Sequence, residues 1–196
     1  MKKIFLETDC TDLDASRIGG GAFIGSIIDD WPKTTDGEYL TLVASISGEM
    51  LVPLLGSSVN GKYISVFSYY SENDYFLDNI TYHGNKEELA FIIKNNTTKV
   101  LIHEKGGLVQ EGHFIRPMFI KLNNEESEWI QGSGFGIPPG FLQNENIFFE
   151  DKEFILQFYS SDFPDPYKDI FGLSDAVGYL YINKSLDGGI FFTQVT

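Results

Sequence analysis

Three histidines, His83, His103 and His113, are the side chains in this sequence that titrate near neutral pH without help from their surroundings. His103 and His113 lie ten residues apart on two segments that we expect to form adjacent strands, with Glu104 and Glu111 beside them. A facing pair of this kind could hold a metal ion or serve a catalytic pocket. The spacings typical of metal sites, HExxH, CxxC and His-x-His, are absent. We therefore predict no metal and no cofactor, and we interpret these residues as ordinary strand histidines.

The glycine-rich stretch "RIGGGAFIG" (17–25) superficially resembles a phosphate-binding loop. A phosphate loop also needs a lysine and a Ser or Thr placed to meet the phosphate and its metal ion. The following "SIIDD" supplies two acids and no lysine. We interpret the stretch as a turn whose glycines permit close backbone packing.

Acidic residues beside aromatic ones are the remaining candidates for function. Acids gather at 29–30 before Trp31, in "NNEESEW" (123–129), in "EDKE" (150–153) and in "DFPDPYKD" (162–169). Trp129, Phe163 and Tyr167 accompany two of these groups, and we expect them at loop tips. Acids that steer a partner and an aromatic side chain that anchors it are the combination used by tight protein interfaces. The alternative is that each group of acids only keeps a loop solvated.

The overall charge supports a binding interpretation. The chain has 196 residues, with 28 acidic residues against 14 basic ones and a net charge of -14. This balance repels nucleic acid, and the lysines are scattered rather than arranged in a stripe, so we predict no nucleic-acid binding. No apolar run approaches the roughly 18 residues of a membrane span, and "MKKIFLETDCTDLD" lacks the apolar core of a signal peptide. We therefore expect a cytoplasmic protein with no membrane partner.

Short runs of Phe, Tyr, Ile and Val between Gly, Asn and Asp predict strands rather than helices. "DGG" at 187–189 predicts a hairpin between the last two strands. Residues 87–94 could form a helix capped by Asn85 or a buried strand. The predicted fold class is α+β, strongly β-rich, with predominantly antiparallel sheets in a single domain, 1–196. The seven predicted strands are 38–46, 61–70, 99–106, 114–122, 152–160, 177–184 and 189–196.

The two parts of the chain echo one another. Residues 19–46 and 134–160 both run from a glycine-rich opening through apolar residues and acids into a strand, and each is followed by a glycine-led aromatic strand. One interpretation is two related half-sheets, 1–131 and 132–196. The other is the regularity of any patterned β protein.

The quoted motifs resemble the YwqG-like family, a bacterial domain of unknown function. The residues that carry the resemblance are "GGGAFIGSIIDDWP", "DGEYLTLVASI", "GIPPGFLQNE", "FILQFYSSD" and the closing "VGYLYINKSLDGGIFFTQVT". Ala44 departs from the glutamine common at that place, and the chain is shorter than typical members. The resemblance implies a β-rich α+β fold and no agreed catalytic residues, and it extends to immunity proteins of bacterial toxin loci.

These observations predict a noncatalytic binding protein, of the immunity-protein type, that occludes the active site of a basic toxin domain with an acidic face. One alternative is a small-molecule-binding or catalytic domain with a pocket between the half-sheets, served by His103, His113 and Glu104. Another is a structural adaptor. The predicted partner-binding residues are Glu125, Glu126, Glu128, Trp129, Asp162, Asp165, Asp169, Asp29 and Asp30.

Overall fold

The fold is dominated by antiparallel strands. A computed structural model describes residues 2–9, 11–126, 132–136, 139–142 and 147–195, and for residues 124–126 it describes the backbone alone. Strands account for 37% of residues and helices for 15%, so the prediction of a strongly β-rich fold with antiparallel sheets is confirmed.

Ten strands form one large sheet in the order β12-β11-β10-β9-β1-β8-β2-β4-β5-β6, and every neighbouring pair is antiparallel. Two short strands, β3 and β7, form a second antiparallel sheet. All seven predicted strands are present, with ends that differ by a few residues. The bounds are β1 Lys2–Glu7, β2 Arg17–Ile18, β3 Ala22–Gly25, β4 Thr41–Ser47, β5 Tyr63–Ser68, β6 Thr98–His103, β7 Gly107–Val109, β8 Met118–Glu126, β9 Gly134–Phe135, β10 Lys152–Tyr159, β11 Val177–Asn183 and β12 Gly189–Gln194.

The large sheet curves until its two end strands approach one another. Thr98 on β6 donates a hydrogen bond from Oγ1 to the carbonyl oxygen of Phe191 on β12, at 2.7 Å. β11 and β12 form the hairpin that "DGG" predicts, with Ile182 opposite Gly189. The sheet is therefore nearly closed, with one seam between β6 and β12.

Alternation along the strands builds one inner core and two outer layers. Ile64 and Val66 of β5 join the inner core, whereas Phe67 on the same strand packs outward with Trp31 and Leu42. A second outer layer covers β10–β12. All six residues of β5 are buried, because both faces of this strand are covered.

Two α-helices accompany the sheets. Residues 87–94 form a helix and not a strand, because they lie within α2 (Lys86–Asn95). The Asn85 side chain caps this helix by accepting the Glu87 N–H, and Asn96 ends it in the left-handed conformation. α1 (Gly48–Leu55) was not predicted, because Gly48 and Pro53 both lower its helical propensity. Short 3₁₀ turns occupy Ser57–Val59, Leu77–Asn79 and Ser160–Asp162. Within the described part of the chain, neither α-helix nor any 3₁₀ turn has the length and apolarity needed to cross a membrane.

The glycines at 19–21 form the predicted turn, which connects β2 to β3. All three have positive φ, from 57° to 82°. A Cβ on Gly19 would collide with the carbonyl oxygen of Ile115, so the close approach of the two backbones requires glycine there.

Candidate functional site

A first acidic pocket lies beside the small β3–β7 sheet. It has a volume of about 430 Å³, and Asp29, Asp30 and Glu111 contribute carboxylates to its wall together with Lys33 and Tyr39. The Lys33 ammonium lies 4.6 Å from the centre of the Tyr39 ring, a cation–π contact.

Trp31 fixes the segment that carries this pocket. The indole is buried, its Nε1–H donates to the carbonyl oxygen of Leu40 at 2.7 Å, and its ring meets Phe67 edge-on at 5.1 Å. Asp29 and Asp30 immediately precede this anchor and are exposed. The sequence "DDWP" therefore places two carboxylates at the surface by burying the next side chain.

A second acidic pocket, of about 210 Å³, follows β5. Glu72, Asp74 and Asp169 line it with Tyr70 and Tyr75. The Tyr75 ring is 73% exposed, and its hydroxyl donates to Asp78 Oδ1 at 3.0 Å. This pocket thus combines three carboxylates with an aromatic side chain that projects into solvent.

A third pocket, of about 240 Å³, includes Glu38 and Tyr69, which directly precede Tyr39 of the first pocket and Tyr70 of the second. Asp36 and Glu38 line it with Tyr69 and the half-exposed Phe91 of α2. Burial raises the pKa of the Tyr69 hydroxyl, and the charges of Glu38, Asp74 and Asp36 raise it further. Tyr69 therefore lies within electrostatic reach of carboxylates from both the second and the third pocket.

The first and second pockets are also joined by the segment that precedes β8. Glu111 lines the first pocket, and two residues later His113 Nδ1 lies 3.1 Å from Glu72 Oε1 of the second. We call the combined region the acidic surface and define it by the exposed carboxylates that line the three pockets: Asp29, Asp30, Asp36, Glu38, Glu72, Asp74, Glu111 and Asp169.

The acidic surface has little compensating positive charge. Of the described residues that line its three pockets, Lys33 is the one lysine or arginine. Exposed aromatic side chains lie among the carboxylates, with Tyr39 at 44%, Phe91 at 43% and Tyr75 at 73% of full exposure. Negative potential over exposed rings suits a positively charged partner that also buries apolar contacts.

Three of the predicted binding residues, Asp29, Asp30 and Asp169, belong to the acidic surface. Glu125 and Glu126 lie on β8 without a described side chain, and Glu128 and Trp129 lie outside the described residues. The predictions for these four residues stay untested.

Asp162 and Asp165 lie outside the acidic surface, each with a polar contact of its own, and their predicted role in binding also stays untested. Asp162 Oδ2 accepts the backbone N–H of Ser133 at 2.6 Å, which ties the 3₁₀ turn at 160–162 to the segment before β9. Asp165 lies 3.6 Å from the Lys168 ammonium, and neither Asp162 nor Asp165 lines the three pockets.

The prediction that aromatic residues of this loop lie at its tip is wrong for Phe163. Phe163 is 1% exposed and packs against Phe158 and Phe171 in the inner core. Tyr167 is partly buried, and its hydroxyl accepts the N–H of Arg116 at 3.0 Å. Phe163 is therefore a core residue that holds the acidic loop down, because a phenyl ring gains more from burial than from exposure at a tip.

Sequence reasoning missed the five other carboxylates of the acidic surface, which are Asp36, Glu38, Glu72, Asp74 and Glu111. Two of them carry the same signal as Asp30–Trp31, an acid directly before an aromatic residue: Glu38–Tyr39 and Asp74–Tyr75. Glu72 and Glu111 carry no such signal, because they join the surface only through the fold.

The alternative site does not form as predicted. His103 is buried on β6, with Nε2 2.9 Å from Ser65 Oγ and Nδ1 2.7 Å from the carbonyl oxygen of Glu104. His113 lies outside the strands and pairs with Glu72 instead. The prediction of adjacent strands that present both histidines to one site is therefore wrong. No group of three or more His, Cys, Asp or Glu side chains that could hold a metal ion occurs among the described residues.

A pocket between the two parts of the sheet does exist, at the seam between β6 and β12. Its volume is about 570 Å³, and none of His103, His113 and Glu104 lines it. The chain matches no model of a protein family and no curated protein sequence. The resemblance to the YwqG-like family accordingly stays a hypothesis.

Proposed function

We propose that this protein is a noncatalytic binding protein that covers a basic surface of another protein, as an immunity protein covers the active site of its toxin. The observation that carries the proposal is the acidic surface, where eight exposed carboxylates and a single lysine line three pockets. Toxin domains that act on nucleic acid or nucleotides need basic clefts, and such a cleft is complementary to this surface. The link to toxin loci rests on the resemblance to the YwqG-like family.

The carboxylates and the aromatic side chains have separate roles in this mechanism. Clustered negative charge accelerates encounter with a basic partner by a factor of about 10 to 1,000. A protruding tyrosine, once buried, slows dissociation, because Tyr is among the residues that most often dominate interface energy. Asp29 and Asp30 should therefore govern the association rate, and Tyr75 the dissociation rate.

The first test is rescue of growth. Cells that express a toxin domain encoded beside the gene for this protein should grow when this protein is also expressed. Rescue should fail when Asp29→Lys, Asp30→Lys, Glu72→Lys and Asp74→Lys are combined. Equal rescue by the quadruple variant would contradict the role of the acidic surface, provided that the variant is folded.

The second test separates charge from contact by binding kinetics with the purified partner. Asp29→Lys with Asp30→Lys should lower the association rate constant about 10-fold or more at low salt. The matched control is Glu7→Lys with Asp9→Lys, two exposed carboxylates outside the acidic surface that make the same change in net charge. At about 1 M salt the screening length falls to about 3 Å, and the two double variants should associate at similar rates.

Tyr75→Ala should leave the association rate nearly unchanged and raise the dissociation rate about 10-fold or more. Tyr75→Phe is the control, since it keeps the ring and loses only the hydrogen bond to Asp78. A dissociation rate that is unchanged in Tyr75→Ala would remove this residue from the interface.

A further inference from the structure

The groove at the seam of the large sheet differs from the acidic surface in size and in chemistry. It lies where α2 passes over the edges of β6 and β12, and its volume of about 570 Å³ is within the range of roughly 300 to 1,000 Å³ typical of small-molecule sites. It shares no lining residue with the three acidic pockets.

Apolar side chains from α2, β6 and β12, together with Phe149, form much of its wall. Ile93 of α2 is 67% exposed, an unusual environment for an isoleucine on a helix that packs against a sheet. Leu101 of β6 and Ile190 of β12 lie on the two sides of the seam. The apolar residues that line the groove are Leu89, Ile92, Ile93, Val100, Leu101, Phe149 and Ile190.

An unused hydrogen-bond acceptor lies in this wall. Asn183 Nδ2 donates to Asp187 Oδ1 at 2.7 Å, and this bond orients the amide. Asn183 Oδ1 is buried and has no hydrogen-bond partner in the part of the chain that the structure describes. A buried acceptor without a partner is costly, so an N–H group of a ligand would be stabilised here once a small shift of the Asn183 side chain exposes Oδ1 to the groove.

The charges around the groove leave one lysine unpaired. Lys152 lies 2.6 Å from Asp151, and Asp187 accepts hydrogen bonds from Asn183 and Ser185. Lys99 also lines the groove, and it forms no ion pair with any described residue. Two acids, Asp151 and Asp187, and two lysines, Lys99 and Lys152, line the groove, and Lys99 is the cation available to pair with an anionic group of a ligand.

We propose that this groove binds a small ligand with an apolar body, an amide N–H and a carboxylate, which is the chemistry of an N-acylated apolar amino acid or of a short apolar peptide. The body packs against Ile93, Leu101 and Ile190. The N–H donates to Asn183 Oδ1, and the carboxylate pairs with the Lys99 ammonium. This inference does not depend on the proposed binding of a basic partner.

The test uses dansyl-leucine, a fluorescent probe with an apolar ring, a sulfonamide N–H and a free carboxylate. Its emission should rise saturably on binding. Lys99→Met should raise the dissociation constant about 10-fold, the size expected for a charge-assisted contact of about 1.4 kcal/mol. Lys86→Met, on the exposed first residue of α2 and outside the groove, removes the same charge and should bind as the unchanged protein does.

Two further arms test the position and the class of ligand. Ile93→Asp places a carboxylate on the exposed side of the groove and should weaken dansyl-leucine more than dansyl-leucinamide, which lacks the carboxylate. Competition by N-acetyl-leucine or by a leucine tripeptide distinguishes the acylated amino acid from the peptide.

Three results would overturn the proposal. The first is no saturable binding up to about 1 mM probe, and the second is equal affinity in the unchanged protein and in Lys99→Met. The third is equal affinity for the acid and the amide. Both variants change exposed side chains, and an unchanged circular dichroism spectrum and unfolding midpoint would show that they are folded.

Discussion

The two ends of the large sheet share a backbone plan and differ in the side chains that secure their outer layers. β4–β5–β6 and β10–β11–β12 are both three-stranded antiparallel units, and they lie symmetrically on either side of the central β1–β8 pair. Each first strand carries one extra residue against its neighbour, Val43 in β4 and Ile155 in β10. The carbonyl oxygens of these two residues accept the N–H of Gly19 and Gly136 respectively, and both glycines have positive φ.

This register assigns equivalent positions on the outer faces. Ser45 corresponds to Gln157, because each lies two residues after the bulge and pairs with β2 or β9. By the same pairing, Ser65 corresponds to Tyr179 and His103 to Gln194. The equivalent positions are therefore polar in both units but differ in side-chain length.

Length decides how each outer layer is attached. Gln157 accepts the N–H of Gly140 and donates to the carbonyl oxygen of Gly132, and Tyr179 donates to the carbonyl oxygen of Gly140. Ser45 and Ser65 are too short for such bridges, and the outer layer of that unit is attached by apolar packing of Trp31 on Phe67. The layer that carries the first acidic pocket is therefore attached mainly by the packing of Trp31, whereas in the opposite layer the hydrogen bonds of Gln157 and Tyr179 add to apolar packing.

The largest expected effect comes from removing the hydrophobic attachment. Trp31→Ala should lower the free energy of unfolding by about 3 to 5 kcal/mol, the range for deleting a buried large aromatic side chain. Trp31→Phe keeps much of the packing, loses the bond to Leu40 and should cost less. Urea unfolding measures both, and a loss below about 1 kcal/mol for Trp31→Ala would show that packing of the indole does not secure this layer.

Removing the hydrogen-bonded attachment should have the next largest effect. Gln157→Ala should cost about 2 to 4 kcal/mol, because two hydrogen bonds are lost and two backbone groups, Gly140 N–H and Gly132 C=O, are left without them. Gln110→Ala is the control, since that side chain is only partly buried and bonds to its neighbour in the chain; its cost should stay within about 0.5 kcal/mol. Equal losses of unfolding free energy in the two variants would show that the hydrogen bonds of Gln157 do not secure this layer.

The pH dependence of stability should distinguish His103 from its counterpart Gln194. Burial lowers the pKa of His103 below its ordinary value of 6.5, although hydrogen bonding to the Glu104 carbonyl and the charge of Glu104 act in the opposite direction. Between the two pKa values the unfolded chain binds more protons than the folded one, so stability rises with pH in that window. As the pH falls below 6.5, the protein should lose at most about 1.4 kcal/mol per pH unit from this residue.

His103→Gln gives position 103 on β6 the same residue type as its counterpart Gln194 on β12. It should abolish the contribution of His103 to the pH dependence of stability. Between pH 7 and pH 5 the free energy of unfolding should fall more in the unchanged protein than in His103→Gln, as measured by urea unfolding. A slope that is the same in both proteins would show that His103 keeps its ordinary pKa.

The long strands could be predicted from the sequence because each one contains a run of aliphatic and aromatic residues between turn-forming residues. β1 could not, because "KKIFLE" mixes charged and apolar residues on both faces, and only Ile4 is fully buried. The strands of two to four residues, such as β2 and β9, are defined by their neighbours in the sheet, and no local pattern specifies them. The sequence did not predict α1 either, because this helix forms although Gly48 and Pro53 lower its helical propensity.

The candidate site was predicted only in part, for a related reason. Asp29 and Asp30 could be found because their neighbour Trp31 marks the place where the chain becomes buried. Glu72 and Glu111 come together through contacts between distant segments, which composition cannot reveal. Phe163 shows the converse error: an aromatic residue among acids is an anchor at the surface or in the core, and only the packing decides which.

The smallest expected effect on stability comes from removing a single buried hydroxyl group. Ser45 is buried, and its hydroxyl has no hydrogen-bond partner among the residues described by the structure. Ser45→Ala should therefore be neutral or should stabilise the protein by up to about 1 kcal/mol, because it removes an unsatisfied group at little cost in packing. Ser65→Ala, one strand away, breaks the bond to His103 Nε2 and should destabilise by about 1 kcal/mol. If Ser45→Ala instead destabilises as much as Ser65→Ala, the hydroxyl of Ser45 is bonded in solution, and the N-terminal unit attaches its outer layer through polar contacts as the C-terminal unit does.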